Sequence, residues 1–403
     1  MGFNAKEHLE TIIIPYWNNL KESKNGGFYG YVSTKDLQVH KDEDKGVILH
    51  SRILWFYSTV YMTLGGEAHL QMATHAYQFI KNYCFDTKNG GLYWMVHSDG
   101  TPADSTKNTY NQAFGIYGLS AYYQATKNPE ALELAYSLFS TIETWCRDSY
   151  GYLEAFDSEW KKEVESAICD QGIVAKKSMN TILHVLEAYA ELLVADTHPA
   201  VQRALQRTLE LVRDKLYNSE EKRFEVFFDE KMNSIADYHS YGHDIESSWL
   251  VDYAMDVLED SYISTQSYIP PQVRKLGESI RLIDSNLADT IREKALVSGG
   301  VLYQRIGERV DTQREWWAQA EAVLGFVNEY SKNNDNRFLE AAKEVLHVIE
   351  TQLVDKRPNS EWFRSVDLDG KPDMESPITE AWKCPYHNGR MCLELINRGF
   401  STL

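Results

Sequence analysis

The sequence lacks the cysteine pattern of a secreted, cross-linked protein. Its 403 residues include five cysteines, at positions 84, 146, 169, 384 and 392, and no two of them form a CxxC pair. An odd number of scattered cysteines argues against a disulfide framework. The first residues contain no apolar stretch of the signal-peptide kind. We therefore expect a protein of the reducing cytoplasm.

Long apolar runs and basic clusters are also missing. The longest apolar run, residues 47–64, is interrupted by His50, Arg52 and several hydroxyls and does not predict a membrane span. Lys and Arg number 41 against 59 Asp and Glu, which gives a formal net charge of −18. Phosphate backbones and anionic membranes need clustered cations, so nucleic acid and membrane are excluded as partners. A neutral or cationic small molecule remains compatible with this charge.

Aromatic residues, by contrast, are plentiful. The chain has 25 Tyr, 15 Phe and 10 Trp, and 43% of its residues are hydrophobic, so a sizeable core is available. Most aromatic side chains are expected in that core, although Trp and Tyr also form flat platforms for sugar rings. The length allows two average domains or one large helical or α/β barrel.

A short segment rich in glycine and aromatic residues recurs along the chain. Each copy is typical of a turn that leads into a brief strand. The spacing of roughly 60 to 76 residues leaves room for two helices of ordinary length. The six copies are residues 25–32, 89–96, 150–156, 223–228, 299–304 and 360–366.

Helical periodicity fills the intervals between these copies. Residues 180–194 carry a broad apolar stripe, as do residues 131–145, 200–216 and 338–353. Six helix pairs joined by short turn-strand units predict an all-α fold, an (α/α)6 barrel with short β-hairpins in the inter-helix loops. An open solenoid is the alternative, and the closed ring is preferred because neither end shows a capping repeat.

The chain shows no linker that would divide it. No stretch rich in Pro, Gly and Ser separates two parts, so residues 1–403 are expected to form a single domain. Residues 260–274, which include Pro270 and Pro271, are predicted to be a loop inside the fold.

Polar residues on otherwise apolar helices are the candidates for the funnel of such a barrel. Most of the twelve histidines lie among polar or loop residues instead and are expected at the surface. These are His8, His40, His69, His75, His97, His198 and His347. His50 and His239 stand beside better candidates but have no partner pattern of their own.

His184 and His243 are more informative. His184 follows Asn180 by four positions on an apolar helix, and Glu187 or Glu191 continues this polar line, although a solvated outer face would give the same spacing. His243 stands near the predicted start of a helix, where an imidazole pKa is lowered and the ring stays neutral, as a base requires. Glu246 follows one turn later, yet no HExxH motif or cysteine cluster completes a metal site. We therefore expect no metal and no cofactor.

Three further features are candidates for the same funnel. His387 lies in a proline-containing turn before an apolar helix. Trp316 and Trp317 are adjacent on one predicted helix and cannot both face the core, so one is free to stack on a ring. Arg52 interrupts an apolar helix and must either reach solvent or find an anion, because an unpaired buried guanidinium is costly.

Seven segments taken together resemble the cellobiose 2-epimerases of the acylglucosamine 2-epimerase superfamily. They span nearly the whole chain, and the last four are long and follow the family order. The segments are GGFYGYV, KGVILHSRILW, GGLYW, KSMNTILHVLEAY, SYGHDIESSWL, WWAQAEAVLGF and WKCPYHNGRMCLELINR. The family's Tyr-x-Gln-Ala-Phe core also occurs, beginning at Tyr110, although its flanks are less typical.

This resemblance implies an (α/α)6 barrel, a metal-free reaction and a cytoplasmic, monomeric enzyme acting on a disaccharide. It assigns catalytic roles to Arg52, His184, His243 and His387. It assigns substrate binding to Tyr110, Asn180, Glu246, Trp317, Glu321 and Trp382. The choice of cellobiose, with lactose as a second substrate, rests on the resemblance alone.

Epimerisation explains why paired histidines would be needed. The sugar ring must open, the weakly acidic C2 proton must leave, and a proton must return to the opposite face. A neutral imidazole, with a pKa near 6.5, passes protons in both directions near neutrality. His387 and His243 would share this work, in an order that stays open, while Arg52 and His184 would stabilise the enediolate.

Three other functions remain open at this point. An aldose–ketose isomerase of the same superfamily, acting on mannose or a related sugar, would return the proton to C1 instead. A glycoside hydrolase needs two facing carboxylates, whereas the matched positions here include histidines. A sugar-binding protein without activity would leave several funnel histidines without a purpose.

Overall fold

The computed structural model describes residues 2–162 and 172–403. Cys169 lies outside this part of the chain. The described helices are α1 (Ala5–His8), α2 (Ile14–Asn19), α3 (Val47–Leu64), α4 (Glu67–Phe79), α5 (Thr109–Thr126), α6 (Pro129–Thr141), α7 (Met179–Ala195), α8 (Pro199–Leu211), α9 (Tyr241–Gln266), α10 (Pro271–Lys294), α11 (Trp316–Asn333), α12 (Asn336–Val348) and α13 (His387–Asn397). None of these helices is both long and apolar enough to cross a membrane.

The helices form two concentric rings. The inner ring consists of α3, α5, α7, α9, α11 and α13, and each packs against the next, with α13 returning to α3. The outer ring places α4, α6, α8, α10 and α12 against the inner helix that precedes each of them in the chain, while α1 packs on α13. Inner helices such as α3 and α5 are buried on nearly every side, as a helix between an axis and an outer ring must be. The predicted (α/α)6 barrel is confirmed.

Short strands occupy the loops between the helices. They are β1 (Lys45–Gly46), β2 (Met95–Val96), β3 (Pro102–Asp104), β4 (Lys107–Asn108), β5 (Ala155–Phe156), β6 (Lys177–Ser178), β7 (Tyr217–Asn218), β8 (Arg223–Phe224), β9 (Phe227–Phe228), β10 (Tyr238–Ser240), β11 (Leu296–Val297), β12 (Gly300–Val301), β13 (Gln304–Ile306), β14 (Arg309–Asp311), β15 (Arg314–Glu315) and β16 (Ser365–Val366). All pairings between them are antiparallel.

Strand pairing repeats around the ring and also closes it. The strand before an inner helix pairs with a strand of the next repeat in β1–β2, β4–β5, β6–β9, β10–β13 and β15–β16. A bridge between Val32 and Thr379 makes the corresponding link from the last repeat to the first. Both the helices and these strand pairs therefore close the ring, which decides against an open solenoid.

The recurring glycine-aromatic segments form the predicted turns and strands. In each repeat a residue just after the outer helix pairs with one in or near the segment, as Phe85 does with Leu92 and Val354 with Trp362. Gly91 in the second copy has a φ of 72°, and a Cβ there would lie 2.5 Å from the Trp160 ring. Only glycine fits both the left-handed backbone and this close approach.

Two helix boundaries differ from the predicted ones. The loop predicted at residues 260–274 is confined to residues 267–270, because α9 continues to Gln266 and α10 begins at Pro271. Proline is well accommodated at the first position of a helix, where its missing N–H would have no partner, so Pro271 starts the helix rather than prolonging a loop. The stripe predicted over residues 131–145 ends in a π-helical turn, Ile142–Cys146.

A buried cation precedes most of the inner helices. Lys45 bonds Glu22, while Lys107 and Lys177 bond Asp86 at 2.9 Å and Asp148 at 2.7 Å. In each pair the carboxylate follows an outer helix, and the lysine precedes the next inner helix along the chain. The ion pair therefore ties the end of the outer helix to the loop before that inner helix. The last repeat has the equivalent pair, Lys383 with Glu361 at 3.1 Å. In the fifth repeat Arg314 bonds loop carbonyls and Gln352 instead.

We expect Lys107→Met to destabilise the protein by about 3–5 kcal/mol, because it leaves the buried Asp86 carboxylate without its cation. The double variant Lys107→Met/Asp86→Asn should recover much of the loss, since no unpaired charge then remains. Urea unfolding followed by circular dichroism measures both. Lys343→Met is the control, because Lys343 pairs with Glu340 at an exposed site. Equal losses from Lys107→Met and Lys343→Met would show that the buried pair has no special role.

Candidate active site

A cavity of about 590 Å³ opens where the N-terminal ends of the inner helices converge. Tyr110, Asn180 and Trp317 are each the second residue of an inner helix, and His387 is the first residue of α13. Predicted site residues from distant parts of the sequence therefore meet at one end of the barrel. Its described lining is Arg52, Tyr110, Asn180, His184, Val226, Phe227, Tyr238, Ser240, His243, Glu246, Tyr303, Gln304, Asp311, Glu315, Trp316, Trp317, Arg364, Trp382 and His387.

Nine of the ten residues predicted for the site line this cavity. The exception is Glu321, which is fully buried behind His387 and does not reach the cavity. Its expected role in substrate binding is therefore not supported by its position. Glu321 instead accepts a hydrogen bond from Nδ1 of His387 at 2.7 Å and one from Nε1 of Trp249 at 2.9 Å.

Each of the three cavity histidines has its Nδ1 held by a protein group. His184 is 2.8 Å from Oε2 of Glu187, His387 is 2.7 Å from Oε1 of Glu321, and His243 is 2.6 Å from Oγ of Ser240. A carboxylate only accepts, so His184 and His387 carry their proton on Nδ1 and keep a basic lone pair on Nε2. Among the described residues no protein group bonds the Nε2 of these histidines. The lone pairs are therefore available to a molecule in the cavity.

The environment keeps these imidazoles neutral. Burial, together with the charges of Arg390 and Arg52, holds the pKa of His387 well below its usual 6.5. Burial and the neighbouring His184 and His387 lower the pKa of His243 to about 3. Burial also lowers the pKa of His184, although Glu187 opposes this effect. All three therefore remain available as bases at neutral and mildly acidic pH.

Arg390 lies at the centre of a buried charge cluster behind the histidines. Its guanidinium donates to Glu187 at 2.5 Å, to Glu246 at 2.5 Å and to Glu321 at 2.7 Å. Arg390 also bonds the hydroxyl of Tyr386, which in turn donates to Glu187. We call Glu187, Glu246, Glu321 and Arg390 the carboxylate cluster.

The members of the carboxylate cluster differ in their pKa values. Burial alone would raise the pKa of Glu187, but Arg390 and His184 lower it to about 2. Burial and the nearby Glu321 raise the pKa of Glu246 to about 8. Oε2 of Glu246 has no hydrogen-bond partner among the described residues, and this side chain lines the cavity. A neutral Glu246 can therefore donate a hydrogen bond to a ligand as well as accept one.

Sequence reasoning missed Arg390 as part of the site and named Glu187 only as one of two acids, Glu187 or Glu191, that could continue the polar line of His184. Both were visible: Arg390 is one turn after His387, and Glu187 is three residues after His184 on the same helix face. The spacing could not show which of the two acids, Glu187 or Glu191, turns inward. In the structure Glu187 reaches the histidine, whereas Glu191 bonds Gln124.

Arg52 is a buried cation without a carboxylate partner among the described residues. Its Nη2 donates to the hydroxyl of Tyr110 at 2.6 Å, and its Nη1 donates to the carbonyl of Trp382 at 3.1 Å. The guanidinium carbon lies 4.2 Å from the ring centre of Phe114 and 4.7 Å from that of Tyr386. These partners are neutral, so the positive charge at the cavity wall is left uncompensated.

Aromatic rings form the remaining walls. The ring of Trp317 lies between two imidazoles, with centroids 4.6 Å from His243 and 5.5 Å from His387. A Cβ at Gly242 would lie 2.5 Å from this indole, so the glycine allows the ring to approach α9. Trp382 is 38% exposed and stands at the mouth. The expectation that only one of Trp316 and Trp317 leaves the core is wrong, because both are buried and both line the cavity.

The histidines predicted at the surface divide into three groups, which are exposed, half-buried and buried. His40, His97, His198 and His347 are exposed, as expected, whereas His69 and His75 are half-buried. The surface prediction for His8 is wrong, because His8 is buried and its Nε2 accepts a hydrogen bond from Nε1 of Trp362 at 2.8 Å. A histidine in a polar stretch of sequence can thus be buried in the core, where it accepts a hydrogen bond from an indole that is distant in sequence.

One group of described residues has the composition of a metal site. Ligand atoms of Glu246, Glu321 and His387 lie within 4.8 Å of one another. Nη2 of Arg390 is already bonded to a carboxylate oxygen of both acids, and Nδ1 of His387 bonds the same oxygen of Glu321. A cation there would have to displace the guanidinium, so these residues fit a metal poorly.

The family model for N-acylglucosamine 2-epimerase (GlcNAc 2-epimerase) matches residues 27–388. A cellobiose 2-epimerase of Ruminococcus albus is 47% identical over 394 residues, 98% of each chain. Among solved structures, a sugar epimerase from a ruminal bacterium superposes with a TM-score of 0.93 at 46% identity, and cellobiose 2-epimerase from Bacillus thermoamylovorans with 0.91 at 39%; both cover 98% of each chain. The chain therefore belongs to the N-acylglucosamine 2-epimerase family.

Proposed function

We propose that this protein is a cellobiose 2-epimerase, an isomerase that reversibly converts the reducing-end glucose of cellobiose to mannose. One observation carries the proposal: three neutral histidines with free Nε2 atoms surround a cavity that also contains an uncompensated guanidinium. The similarity to cellobiose 2-epimerases over nearly the whole chain supports the choice of substrate. Lactose, which has the same reducing-end glucose, is a second proposed substrate.

His387 and His243 perform the proton transfers in this proposal. After the ring opens, Nε2 of one histidine takes the C2 proton, and the C2–H electron pair moves toward C1 to form the enediolate. Rotation about the C2–C3 bond presents the opposite face of C2, and a proton then returns to it. Trp317 lies between the two imidazoles, so its ring lies beside the reaction centre.

Arg52 stabilises the enediolate with support from His184. The negative charge of this intermediate develops on oxygen, and the unpaired guanidinium is a preorganised partner for it. Nε of Arg52 is buried and has no acceptor among the described residues. An oxygen of the sugar would satisfy this donor.

Binding of the sugar uses the remaining polar atoms of the cavity wall. Oδ1 of Asn180 and Oε2 of Glu246 are buried and have no partner in the part of the chain that the structure describes, and sugar hydroxyls can donate to both. Trp317 and Trp382 offer ring faces for the two sugars, while Tyr110 holds Arg52 in place. Of the two roles that the sequence leaves open for Glu321, orienting a histidine or binding sugar hydroxyls, its contact with His387 favours the first.

The arrangement favours epimerisation over hydrolysis. A glycosidase needs two carboxyl groups on opposite sides of the scissile bond. The two acids predicted for the site do not form such a pair, because Glu321 is buried behind His387 and only Glu246 lines the cavity. The other acids of the described lining, Asp311 and Glu315, lie on strands β14 and β15 rather than on the inner helices. We further propose that no metal takes part, because Arg390 already lies where a cation would bind these acids. All proposed residues come from one chain, so we infer a single-domain enzyme that can act as a cytoplasmic monomer.

Cellobiose incubated with the enzyme in heavy water should yield glucosyl-mannose that carries deuterium at C2. The base exchanges its proton with solvent before returning one. Proton NMR of the purified product measures the label, and sugar chromatography separates the epimer from a ketose. Product without deuterium would refute the proton-transfer mechanism. A ketose as the main product would make the chain an isomerase of the aldose–ketose type.

His387→Ala and His243→Ala should each lower kcat by at least about 100-fold, since each removes an acid/base group. Far-ultraviolet circular dichroism should show unchanged helical content. His347→Ala is the matched control, because His347 is an exposed histidine on the outer helix α12. A variant that retains activity removes its histidine from the mechanism.

The acidic limb of the profile of kcat/KM against pH should lie clearly below pH 6.5. The pKa values of His387 and His243 are lowered, so the neutral base persists as the pH falls and is lost only on passing through the lowered value. Initial rates with cellobiose between pH 4 and 9 test this. An inflection at or above 6.5 would mean that the base titrates as an exposed histidine does.

A further inference from the structure

We propose that Arg390 is a positioning residue that links His184 and His387 into one unit through Glu187 and Glu321. This inference rests on the proposed epimerase activity and extends it to a group that does not line the substrate cavity. Arg390 is 1% exposed and contributes to the site only through the groups it holds.

The hydrogen bonds form a continuous chain. Nδ1 of His184 bonds Oε2 of Glu187, Nη1 of Arg390 bonds Oε1 of the same acid, and Nη2 bonds Oε1 of Glu321, which holds Nδ1 of His387. One planar guanidinium thus fixes both carboxylates that set the tautomers of the two histidines. A rigid fork does this better than a single ammonium point charge, because its two nitrogens diverge in one plane.

The same guanidinium also balances the charge around His387. The titratable and charged groups that face His387 come from each inner helix packed around it: Arg52 on α3, His184 and Glu187 on α7, His243 and Glu246 on α9, Glu321 on α11, and Tyr386 and Arg390 from its own segment. Without the guanidinium fork, Glu321 would present a less neutralised carboxylate to Nδ1 and would favour the imidazolium form. The neutral base would then be lost at a higher pH than in the wild type as the pH falls.

The chain offers a matched control on the same helix. Arg398 directly follows α13, also pairs with a carboxylate, Glu394 at 2.9 Å, and lies over the ring of Trp249, as Arg390 does. It contacts neither Glu187 nor Glu321. Arg398→Lys therefore reproduces the chemical change of Arg390→Lys without the link to the histidines.

The test compares Arg390→Lys, Arg398→Lys and the wild type with cellobiose. For Arg390→Lys we expect kcat to fall about 10- to 100-fold, as is usual for groups that orient active-site ligands. KM should change less than kcat, because Arg390 reaches the substrate only through Glu246, whereas it holds the acids of two histidines. The acidic limb of the kcat profile should move to higher pH. Arg398→Lys should match the wild type in all three measurements.

Other results would overturn the inference. Wild-type kcat and pH profile in Arg390→Lys, a change confined to KM, or an equal loss in Arg398→Lys would each do so. If circular dichroism shows Arg390→Lys to be unfolded, Glu187→Gln is measured instead, because it removes the acid that joins Arg390 to His184. A fall in kcat of about 10-fold or more supports the link, and a wild-type kcat and pH profile would overturn it. A wild type that does not epimerise cellobiose would instead refute the proposed function, and this inference with it.

Discussion

The guanidinium of Arg390 and the three carboxylates around it can pair only if four inner helices meet at one axis, which requires a closed barrel. Glu187, Glu246 and Glu321 belong to α7, α9 and α11, and Arg390 belongs to α13. Each buried ion loses several kcal/mol of hydration, and bonds to its partners offset that loss only when they form together. In an open solenoid α13 would lie far from α7, and Glu187 would be buried without its cation. Closure of the ring therefore also brings together the buried charges of Arg390 and the three acids at the barrel axis.

The helical repeat places several polar site residues at the same distance from the start of their inner helices. Arg52, His184, Glu246 and Glu321 are each the sixth residue of their inner helix. Equal distance from the helix start puts these side chains in one layer just inside the cavity or directly behind it. The loops before the helices are set by strand pairs and, in most repeats, by buried lysine-carboxylate pairs, so the helix starts themselves are held in register.

Much of the fold could be predicted from the sequence because the hydrophobic pattern and the glycine-aromatic segments recur at regular intervals. Apolar stripes gave the helices, and the recurring glycine-aromatic segments gave the hairpins and the number of repeats. The loop predicted at residues 260–274 was too long because two adjacent prolines suggest a loop, yet Pro271 fits the first turn of a helix. His8 was misplaced because its partner, Trp362, lies more than 350 positions away. A contact of that kind leaves no local pattern.

The sequence could predict which residues form the candidate site, but not the pKa values of their side chains. Sequence spacing could suggest that His184 and Glu187 share a face, but not that Glu187 is ionised and Glu246 has a raised pKa. These differences depend on the donors that reach each acid: Arg390, His184 and Tyr386 bond Glu187, whereas Glu246 is bonded by Arg390 and lies near Glu321. Most of these contacts form only when four helices meet, so they are properties of the closed fold rather than of any segment.

Arg52 and Arg390 differ in whether carboxylates neutralise their charge. Arg390 is surrounded by three acids and adds no free positive charge, whereas the hydrogen-bond partners of Arg52 are the neutral Tyr110 and the carbonyl of Trp382. In a buried setting an uncompensated cation attracts an oxyanion far more strongly than it would in water. A carboxylate beside Arg52 would cancel that attraction before any intermediate formed. Because no carboxylate among the described residues pairs with Arg52, the barrel holds neutral bases and a free cation around the same small volume, which is the combination that removal of a carbon-bound proton requires.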